Sequence, residues 1–295
     1  MKLLAIGHSV EDHILEDDKE KINPGGIFYT ALALMNFIET GDEIYLNTAV
    51  QKENYNLFED VYRNFKSSYL KFVEKIPKVY LTLHNFKERG ETYESMSQSL
   101  EVETKNLNSF DGILINMITG FDISLNQLKE IRKNYSGLIF LDVHTLSRGL
   151  DENLKREFRR IPNFIEWASS VDILQANENE ILTMSDNLNE REIAEEILTY
   201  GTKIFIVTKG KLGARLYSRK DDELISIFNS SLKIENKNMI GCGDVFGTVF
   251  FYHYIKTKDL VGSLHLANVA AGCAASYTDL KNFNSLKKDV LSRYN

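Results

Sequence analysis

Two glycines and an acid stand directly before a run of bulky apolar residues, in the stretch Met239-Ile-Gly-Cys-Gly-Asp-Val-Phe-Gly-Thr-Val-Phe-Phe251. The apolar run predicts a helix packed inside the protein, whose N-terminus carries unpaired N–H groups and the positive end of the helix dipole. The glycines would let a ligand approach those N–H groups closely. The pattern favours an anion site with the carboxylate of Asp244 beside it, although an Asp here can also serve only as a helix cap.

A second interpretation of the same stretch is dinucleotide binding, because Gly241-x-Gly243-x-x-x-Gly247 is close to the glycine fingerprint of such sites. That fingerprint follows a buried strand, whereas the residues before this one, 231–238, form a short polar run. No acid closes a second strand about 20 residues further on. The sequence therefore disfavours a nicotinamide-dependent enzyme.

The stretch Gly241-Cys-Gly-Asp-Val-Phe246 is similar to the signature Gly-Ala-Gly-Asp-x-Phe of the ribokinase-like (PfkB-type) carbohydrate kinases. Other pieces resemble parts of that family in the same order, so the resemblance covers almost the whole chain. They are the stretch around Asp12, the pair Gly25-Gly26 after Pro24, the motif Asn177-x-x-Glu180, the turn Thr208-Lys209-Gly210 with Gly213, and the helix around Asn268.

The resemblance implies an ATP-dependent kinase, in which Asp244 would be the general base for the attacking hydroxyl. The amides of Gly241, Cys242 and Gly243 would stabilise the charge on the transferred phosphoryl group. Glu180 would hold Mg²⁺, in part through water. By the same resemblance, the substrate would be bound by Asp12, Gly25, Gly26 and Thr30. The nucleotide would be bound by Asn177, Thr208, Lys209, Gly210, Gly213 and Asn268.

The sequence departs from the family pattern at two places. Asn238-Met-Ile240 replaces the usual Asp-Thr-Thr run, a region that carries the cation site in several members, so monovalent-cation activation stays open. Thr30 replaces an asparagine that binds substrate in ribokinases, and Tyr29 stands beside it. The expected acceptor is therefore a small sugar or related polyol, with a nucleoside kinase or a silent nucleotide- or sugar-binding protein as alternatives. Arg148, after a predicted strand, could meet an acidic substrate group or be structural.

These residues need a scaffold, and the apolar pattern predicts an α/β fold. Buried-strand patterns at 2–6, 44–50, 112–116, 138–142, 171–174 and 203–207 alternate with helical patterns at 27–40, 56–65, 190–199, 245–255 and 260–277. Such alternation predicts a mainly parallel sheet between two helix layers, a three-layer α/β/α sandwich. We expect one ribokinase-like domain over residues 1–295. Segments 11–24 and 78–102 would form a small β-stranded lid, which in this family often makes dimer contacts.

Composition narrows the class of protein further. Of 295 residues, 43% are hydrophobic and 26% are charged, and the net charge of −7 gives no sign of a nucleic-acid-binding face. The two cysteines, Cys242 and Cys273, form no metal or disulfide spacing, so we expect a cytoplasmic protein. No apolar run approaches ~18 residues, and no membrane span is expected.

Overall fold

The structure is a computed structural model. It describes residues 1–16, 19–82, 90–94, 98–235 and 238–294.

The described residues form fifteen strands and eight α-helices, joined by loops and short 3₁₀ turns. The strands are β1 (Lys2–Ile6), β2 (Ser9–Glu16), β3 (Lys19–Gly26), β4 (Glu43–Gln51), β5 (Leu70–Val73), β6 (Lys78–Thr82), β7 (Gly90–Tyr93), β8 (Gly112–Asn116), β9 (Leu138–Asp142), β10 (Arg148–Leu150), β11 (Arg156–Phe158), β12 (Ile173–Asn177), β13 (Ile204–Thr208), β14 (Gly213–Lys220) and β15 (Glu223–Ser230). The α-helices are α1 (Phe28–Phe37), α2 (Glu59–Tyr62), α3 (Leu125–Asn134), α4 (Phe164–Ser169), α5 (Glu190–Thr199), α6 (Cys242–Thr257), α7 (Leu260–Ala275) and α8 (Leu286–Tyr294).

Nine strands form the central sheet, in the order β15-β14-β13-β12-β9-β8-β1-β4-β5. The strands from β13 to β5 are all parallel to their neighbours, and β14 and β15 extend one edge as an antiparallel hairpin. Parallel strands end at the same edge of a sheet, so the loops that follow β8, β9, β12 and β13 gather in one place.

Helices cover both faces of this sheet. Successive side chains of a strand point to opposite faces, so a strand of consecutive apolar residues has apolar side chains to bury on each face. In β1, Leu3 and Ala5 pack into the core on the side of α1, α6, α7 and α8. Leu4 and Ile6 pack into the core on the side of α3, α4 and α5. The predicted three-layer α/β/α sandwich with a mainly parallel sheet is confirmed.

A second, smaller sheet has the order β3-β2-β6-β7 and comes from the two segments predicted to form the lid. Residues 17–18, 83–89 and 95–97 of those segments lie outside the described residues, and with them most of the turn predicted at 88–90. The hairpin β10–β11 lies beside this sheet. An isolated β-bridge pairs Thr92 with Lys155, and the amide of Tyr93 donates to the Leu154 carbonyl at 3.1 Å. This hairpin was not predicted.

The helix predicted over 56–65 is wrong in extent, because the chain there forms a 3₁₀ turn at Tyr55–Leu57 and the short α2. The Asn64 side chain donates to the carbonyls of Asp60 and Val61 at 2.9 Å, and this local competition ends the helix early. The edge hairpin β14–β15 was also missed, since β15 is half exposed and lacks a buried-strand pattern. Among the described helices, none has the length and apolar character needed to cross a membrane.

Candidate active site

Three polar side chains lie at the carboxyl edge of the central sheet and face α6. Asn116 ends β8, Asp142 ends β9, and Gln175 lies in the middle of β12. Each lies two residues after an apolar residue that packs on the α6 side of the sheet. For Asp142 this residue is Phe140, whose ring centre lies 5.4 Å from that of Phe251 in α6. The alternation of strand side chains therefore places all three toward the start of α6.

The glycine signature forms a tight entry to α6. Gly241 has φ of +74°, in the left-handed region, and a Cβ atom there would lie 2.2 Å from the Tyr29 ring. Only glycine fits this position, which brings the start of α6 against α1. The N-cap residue of α6, Gly241, has no side chain with which to cap the helix, and a Cβ atom at Gly243 would meet nothing within 4 Å. The first turn of α6 thus carries exposed backbone, as the anion-site prediction requires.

Asp244 is buried in the first turn of α6, with 7% of its surface exposed. Its Oδ1 accepts a hydrogen bond from Asn116 Nδ2 at 3.0 Å, and the same nitrogen donates to Thr30 Oγ1 at 2.7 Å. Thr30 is fully buried and is linked to Asp244 through Asn116. The structure thus brings Thr30 and Asp244 together through a residue for which the sequence analysis gave no role.

The other predicted substrate residues lie where the lid meets the central sheet. Asp12 in β2 is 5% exposed, and a Cβ atom at Gly25 would lie 2.3 Å from its Oδ2. Gly26 has φ of +66°, and a Cβ atom there would lie 2.3 Å from the His8 carbonyl oxygen and 3.0 Å from Ile118. The two glycines therefore allow the chain to pass closely between the Asp12 carboxylate and the loop after β8.

Three carboxylates interact at the sheet edge. Burial, and then the charges of Glu180 and Asp244, raise the pKa of the Asp142 carboxyl well above its ordinary value. Gln175 Nε2 donates to Asp142 Oδ2 at 2.9 Å and also to the Gly243 carbonyl oxygen at 3.1 Å. The site thus concentrates negative charge, which a divalent cation would relieve.

The motif Asn177-x-x-Glu180 forms a reciprocal cap at the end of β12. Asn177 Oδ1 accepts from the amides of Asn179 and Glu180, each at 2.9 Å, and Glu180 Oε2 accepts from the Asn177 amide at 2.8 Å. This is the arrangement of a capping box, and it fixes Glu180, which is 4% exposed, beside Asp142. The motif therefore has a structural role in addition to any contact with a metal or phosphate.

A pocket of about 590 Å³ lies between the end of β13, segment 231–235 and helices α6 and α7. Five of the six predicted nucleotide residues line it, together with Cys242 and Gly243 of the predicted anion site. The five are Asn177, Thr208, Gly210, Gly213 and Asn268. Its volume is within the range of pockets that bind drug-sized ligands, about 300–1,000 Å³. The structure therefore places the two groups of residues around one cavity.

Two of the predicted nucleotide residues have their side chains engaged within the protein. Lys209 is outside the pocket lining, and its ammonium pairs with Glu178 at 3.0 Å and with Glu190. Burial alone would lower the pKa of Lys209, but hydrogen bonds to these carboxylates raise it. Asn268 Nδ2 donates to Asn229 Oδ1 at 2.7 Å and to the Ser230 carbonyl at 2.6 Å, and thereby holds the end of β15 at the pocket.

A metal ion in this site would take most of its ligands from elsewhere. Within residues 1–16, 19–82, 90–94, 98–235 and 238–294, no three His, Cys, Asp or Glu side chains are grouped so as to hold an ion. Mg²⁺ in phosphoryl-transfer sites is commonly bound by one or two carboxylates together with substrate phosphates and water. Glu180 and its carboxylate neighbours fit that kind of site.

Asn116, Asp142 and Gln175 were not predicted as site residues. The signal that could have found them is a polar side chain at the end of a strand that is otherwise buried. Asn116 and Asp142 close the runs Gly112-Ile-Leu-Ile-Asn116 and Leu138-Ile-Phe-Leu-Asp142, and Gln175 interrupts an apolar strand.

Known proteins share this fold and part of this sequence. The family model "pfkB family carbohydrate kinase" matches residues 150–287, and a comparison with curated proteins gave no match. A ribokinase from Arabidopsis thaliana, solved with ribose and ATP, is 16% identical with a TM-score of 0.75, over 98% of this chain and 97% of that one. A putative ribokinase II from E. coli, solved with ATP and Mg²⁺, is 17% identical with a TM-score of 0.73, over 99% of each chain.

A third similar structure is a pyrophosphate-dependent kinase of the ribokinase family, solved with a pyrophosphate analogue and myo-inositol. It is 15% identical with a TM-score of 0.71, over 96% of this chain and 98% of that one. These likenesses confirm the ribokinase-like fold. The family match covers the glycine signature and the motif Asn177-x-x-Glu180. Residues 150–287 are therefore similar to the pfkB family of carbohydrate kinases, and the chain as a whole has a ribokinase-like fold.

Proposed function

We propose that the protein is a single kinase domain that transfers the γ-phosphoryl group of ATP to a hydroxyl of a small sugar or related polyol, with Asp244 as general base. The observation that carries this proposal is the position of Asp244 between two sites. On one side its carboxylate accepts a hydrogen bond from Asn116, whose side chain also donates to Thr30. On the other side the two residues before it, Cys242 and Gly243, line the pocket.

The chemistry follows from this position. Asp244 accepts the proton of the acceptor hydroxyl as its oxygen bonds to the γ-phosphorus and the bond to the β-phosphate oxygen breaks. The N–H groups at the start of α6 stabilise the charge on the transferred group, and Asn116 holds the Asp244 carboxylate in place. When bound with the donor, Mg²⁺ neutralises phosphate charge, and Glu180 would hold it together with water.

The donor that we propose is ATP, although a similar structure is of a pyrophosphate-dependent kinase. The pocket extends well beyond the glycines, along Ala271, Gly272 and Ala275 of α7 and along Leu232 and Ile234 opposite them. A Cβ atom at Gly272 would lie 3.3 Å from Leu232, so this wall is closely packed. An apolar slot of this kind suits the nucleoside part of ATP. Pyrophosphate has no such group to place in the slot.

The lid would close over the acceptor and exclude water, which limits hydrolysis of the donor. We also propose a homodimer formed through the lid. Its outer face carries Ile22 and Tyr80, 44% and 38% exposed, in register on either side of His13. The absence of any cysteine pairing among the described residues fits a cytoplasmic location, which belongs to the same proposal.

The test is ADP release from Mg²⁺-ATP against a panel of pentoses, hexoses, inositols and nucleosides, with Asp244→Asn as the matched control. We expect one class of acceptor to stimulate release by the unmodified protein. Asp244→Asn should bind ADP with nearly unchanged affinity and lose turnover by a factor of about 100 or more, since it lacks the general base.

The panel also separates the alternatives. Stimulation by nucleosides alone would support a nucleoside kinase. Release of phosphate from pyrophosphate, without release of ADP from ATP, would show that the donor is pyrophosphate and not ATP. Binding of ATP without turnover of any acceptor would favour a silent binding protein. Full turnover by Asp244→Asn would remove this residue from the mechanism.

A further inference from the structure

Gln175 links the sheet to the first turn of α6. It is 2% exposed, in the middle of β12, and its side chain points to the α6 face. One nitrogen, Nε2, donates to both Asp142 Oδ2 at 2.9 Å and the Gly243 carbonyl oxygen at 3.1 Å. When Asp142 is ionised, its carboxylate is an acceptor like the Gly243 carbonyl, so without this donor between them the two groups would face each other unfavourably in a buried site.

The approach of α6 to Gln175 is possible because residue 247 is glycine. A Cβ atom at Gly247 would lie 2.8 Å from Gln175 Oε1 and 2.9 Å from the Phe140 ring. The third glycine of the signature, which resembles part of a dinucleotide fingerprint, therefore lets the second turn of α6 lie against β9 and β12. Packing at Gly247 and the hydrogen bond at Gly243 fix two successive turns of the helix to the same side chain.

We infer that Gln175 is a positioning residue for phosphoryl transfer. It fixes the first turn of α6 so that the N–H group of Gly243 is oriented toward the transferred group before substrate binds. The N-cap residue Gly241 has no side chain with which to cap α6, and Gly243 has no side chain of its own to pack. The bond from Gln175 restrains backbone that would otherwise fray, and such preorganisation is what makes an anion hole effective. This inference rests on the proposed function of that turn.

The experiment compares two ligands that differ only in whether they occupy the position of the transferred group. ADP with Mg²⁺ needs the pocket alone, whereas ADP with aluminium fluoride also mimics the phosphoryl group in transfer and needs the oriented N–H group. Gln175→Met keeps the length and packing of the side chain but removes the donor. We expect ADP affinity within about threefold of the unmodified protein, and a loss of about 10- to 100-fold in the additional affinity conferred by aluminium fluoride.

The matched control is Thr202→Val, which also replaces a buried polar side chain, but one that donates to the Ala168 carbonyl at 2.9 Å away from the site. It should leave both affinities unchanged. With an acceptor in hand, Gln175→Met should lower kcat by the same factor as the aluminium fluoride affinity and leave the KM for ATP nearly unchanged.

A second variant keeps the inference testable if Gln175→Met folds poorly. Gln175→Glu has the same shape, and when protonated its carboxyl can donate one of the two bonds. Its aluminium fluoride affinity, relative to that of the unmodified protein, should therefore rise as the pH is lowered. The comparison with the unmodified protein is needed because Asp142, Glu180 and Asp244 lie nearby in both proteins. Undiminished aluminium fluoride affinity in Gln175→Met, or a pH-independent defect in Gln175→Glu, would overturn the role of Gln175. Failure of the unmodified protein to bind ADP would overturn the proposed function itself, and the inference with it.

Discussion

At the scale of single residues, the site contains one carboxylate that the fold disfavours in its charged form. Asp142 is 4% exposed, and burial together with Glu180 and Asp244 raises its pKa. By contrast, Asp122 lies beside His8, and although burial opposes ionisation, the charge and hydrogen bonds of His8 lower the pKa of Asp122. Both carboxylates are buried, so their neighbours decide which of them stays ionised.

The first prediction concerns the effect of Asp142 on the free energy of unfolding as the pH changes. Because its pKa is raised, the folded protein holds a proton there that the unfolded chain releases above pH ~4. The free energy of unfolding should therefore fall as the pH rises from about 4 to the folded-state pKa of Asp142. Asp142→Asn lacks this loss and can still accept a hydrogen bond from Gln175. At pH 8 it should be more stable than the unmodified protein by on the order of 1 kcal/mol or more.

Urea unfolding of both proteins between pH 4 and pH 8 measures this difference. The two curves should converge at the acid end and separate as the pH rises. An Asp142→Asn protein that is less stable at pH 8 would mean that the ionised carboxylate is favoured by the fold.

At the scale of elements, glycines decide how closely the segments approach one another at the site. Gly26 and Gly41 both have φ in the left-handed region, +66° and +92°. A Cβ atom at Gly26 would lie 2.3 Å from the His8 carbonyl oxygen, whereas one at Gly41 would meet nothing within 4 Å. The two positions thus separate backbone strain from steric overlap.

We predict that Gly41→Ala lowers the free energy of unfolding by about 1 kcal/mol, the cost of a left-handed conformation for alanine. Gly26→Ala should lower it by about 3 kcal/mol or more, because the same strain is joined by a collision with backbone that cannot move aside. Urea unfolding measures both. Equal losses would show that the chain between β3 and α1 relaxes to accept the methyl group.

At the scale of the whole molecule, the lid is tied to the loop that leaves β9. Arg148 in β10 pairs with Glu91 in β7 at 3.5 Å, and their side chains are 8% and 3% exposed. The guanidinium of Arg156 in β11 lies 4.4 Å from the centre of the ring of Tyr93, which is also in β7. Because Arg148 follows Asp142 closely in the chain, this pair connects the lid to the end of β9 in the candidate site.

Breaking this link should loosen the lid. Glu91→Gln removes the carboxylate from a buried pair, and we predict a loss of about 3 kcal/mol in the free energy of unfolding. Hydrogen exchange at the Tyr93 amide, which donates to the Leu154 carbonyl, should become faster. The control is Glu166→Gln, whose partner Lys129 is half exposed, and which should cost less than about 1 kcal/mol. Similar losses in the two variants would contradict a buried, lid-bracing role for the Glu91 pair.

Much of the fold could be predicted from local pattern. The strands at 112–116 and 138–142 and the helix at 190–199 agree with the structure in their bounds, because short apolar runs and a helical period are properties of neighbouring residues. The hairpins β10–β11 and β14–β15 were missed, since β10 and β11 are short, β15 is half exposed, and the pairing of these strands depends on packing elsewhere in the chain.

The candidate site divides in the same way. The sequence by itself determined the glycines and the acid at the start of α6, and the residues that later line the pocket, because each is a local motif whose backbone or charge is needed where it stands. Only the tertiary structure decided that Asn116, Asp142 and Gln175 meet at α6. They come from strands about 30 residues apart in sequence, and the lateral order β12-β9-β8 makes them neighbours. Which strands lie side by side depends on packing across the whole sheet, and no local pattern in the sequence carries that information.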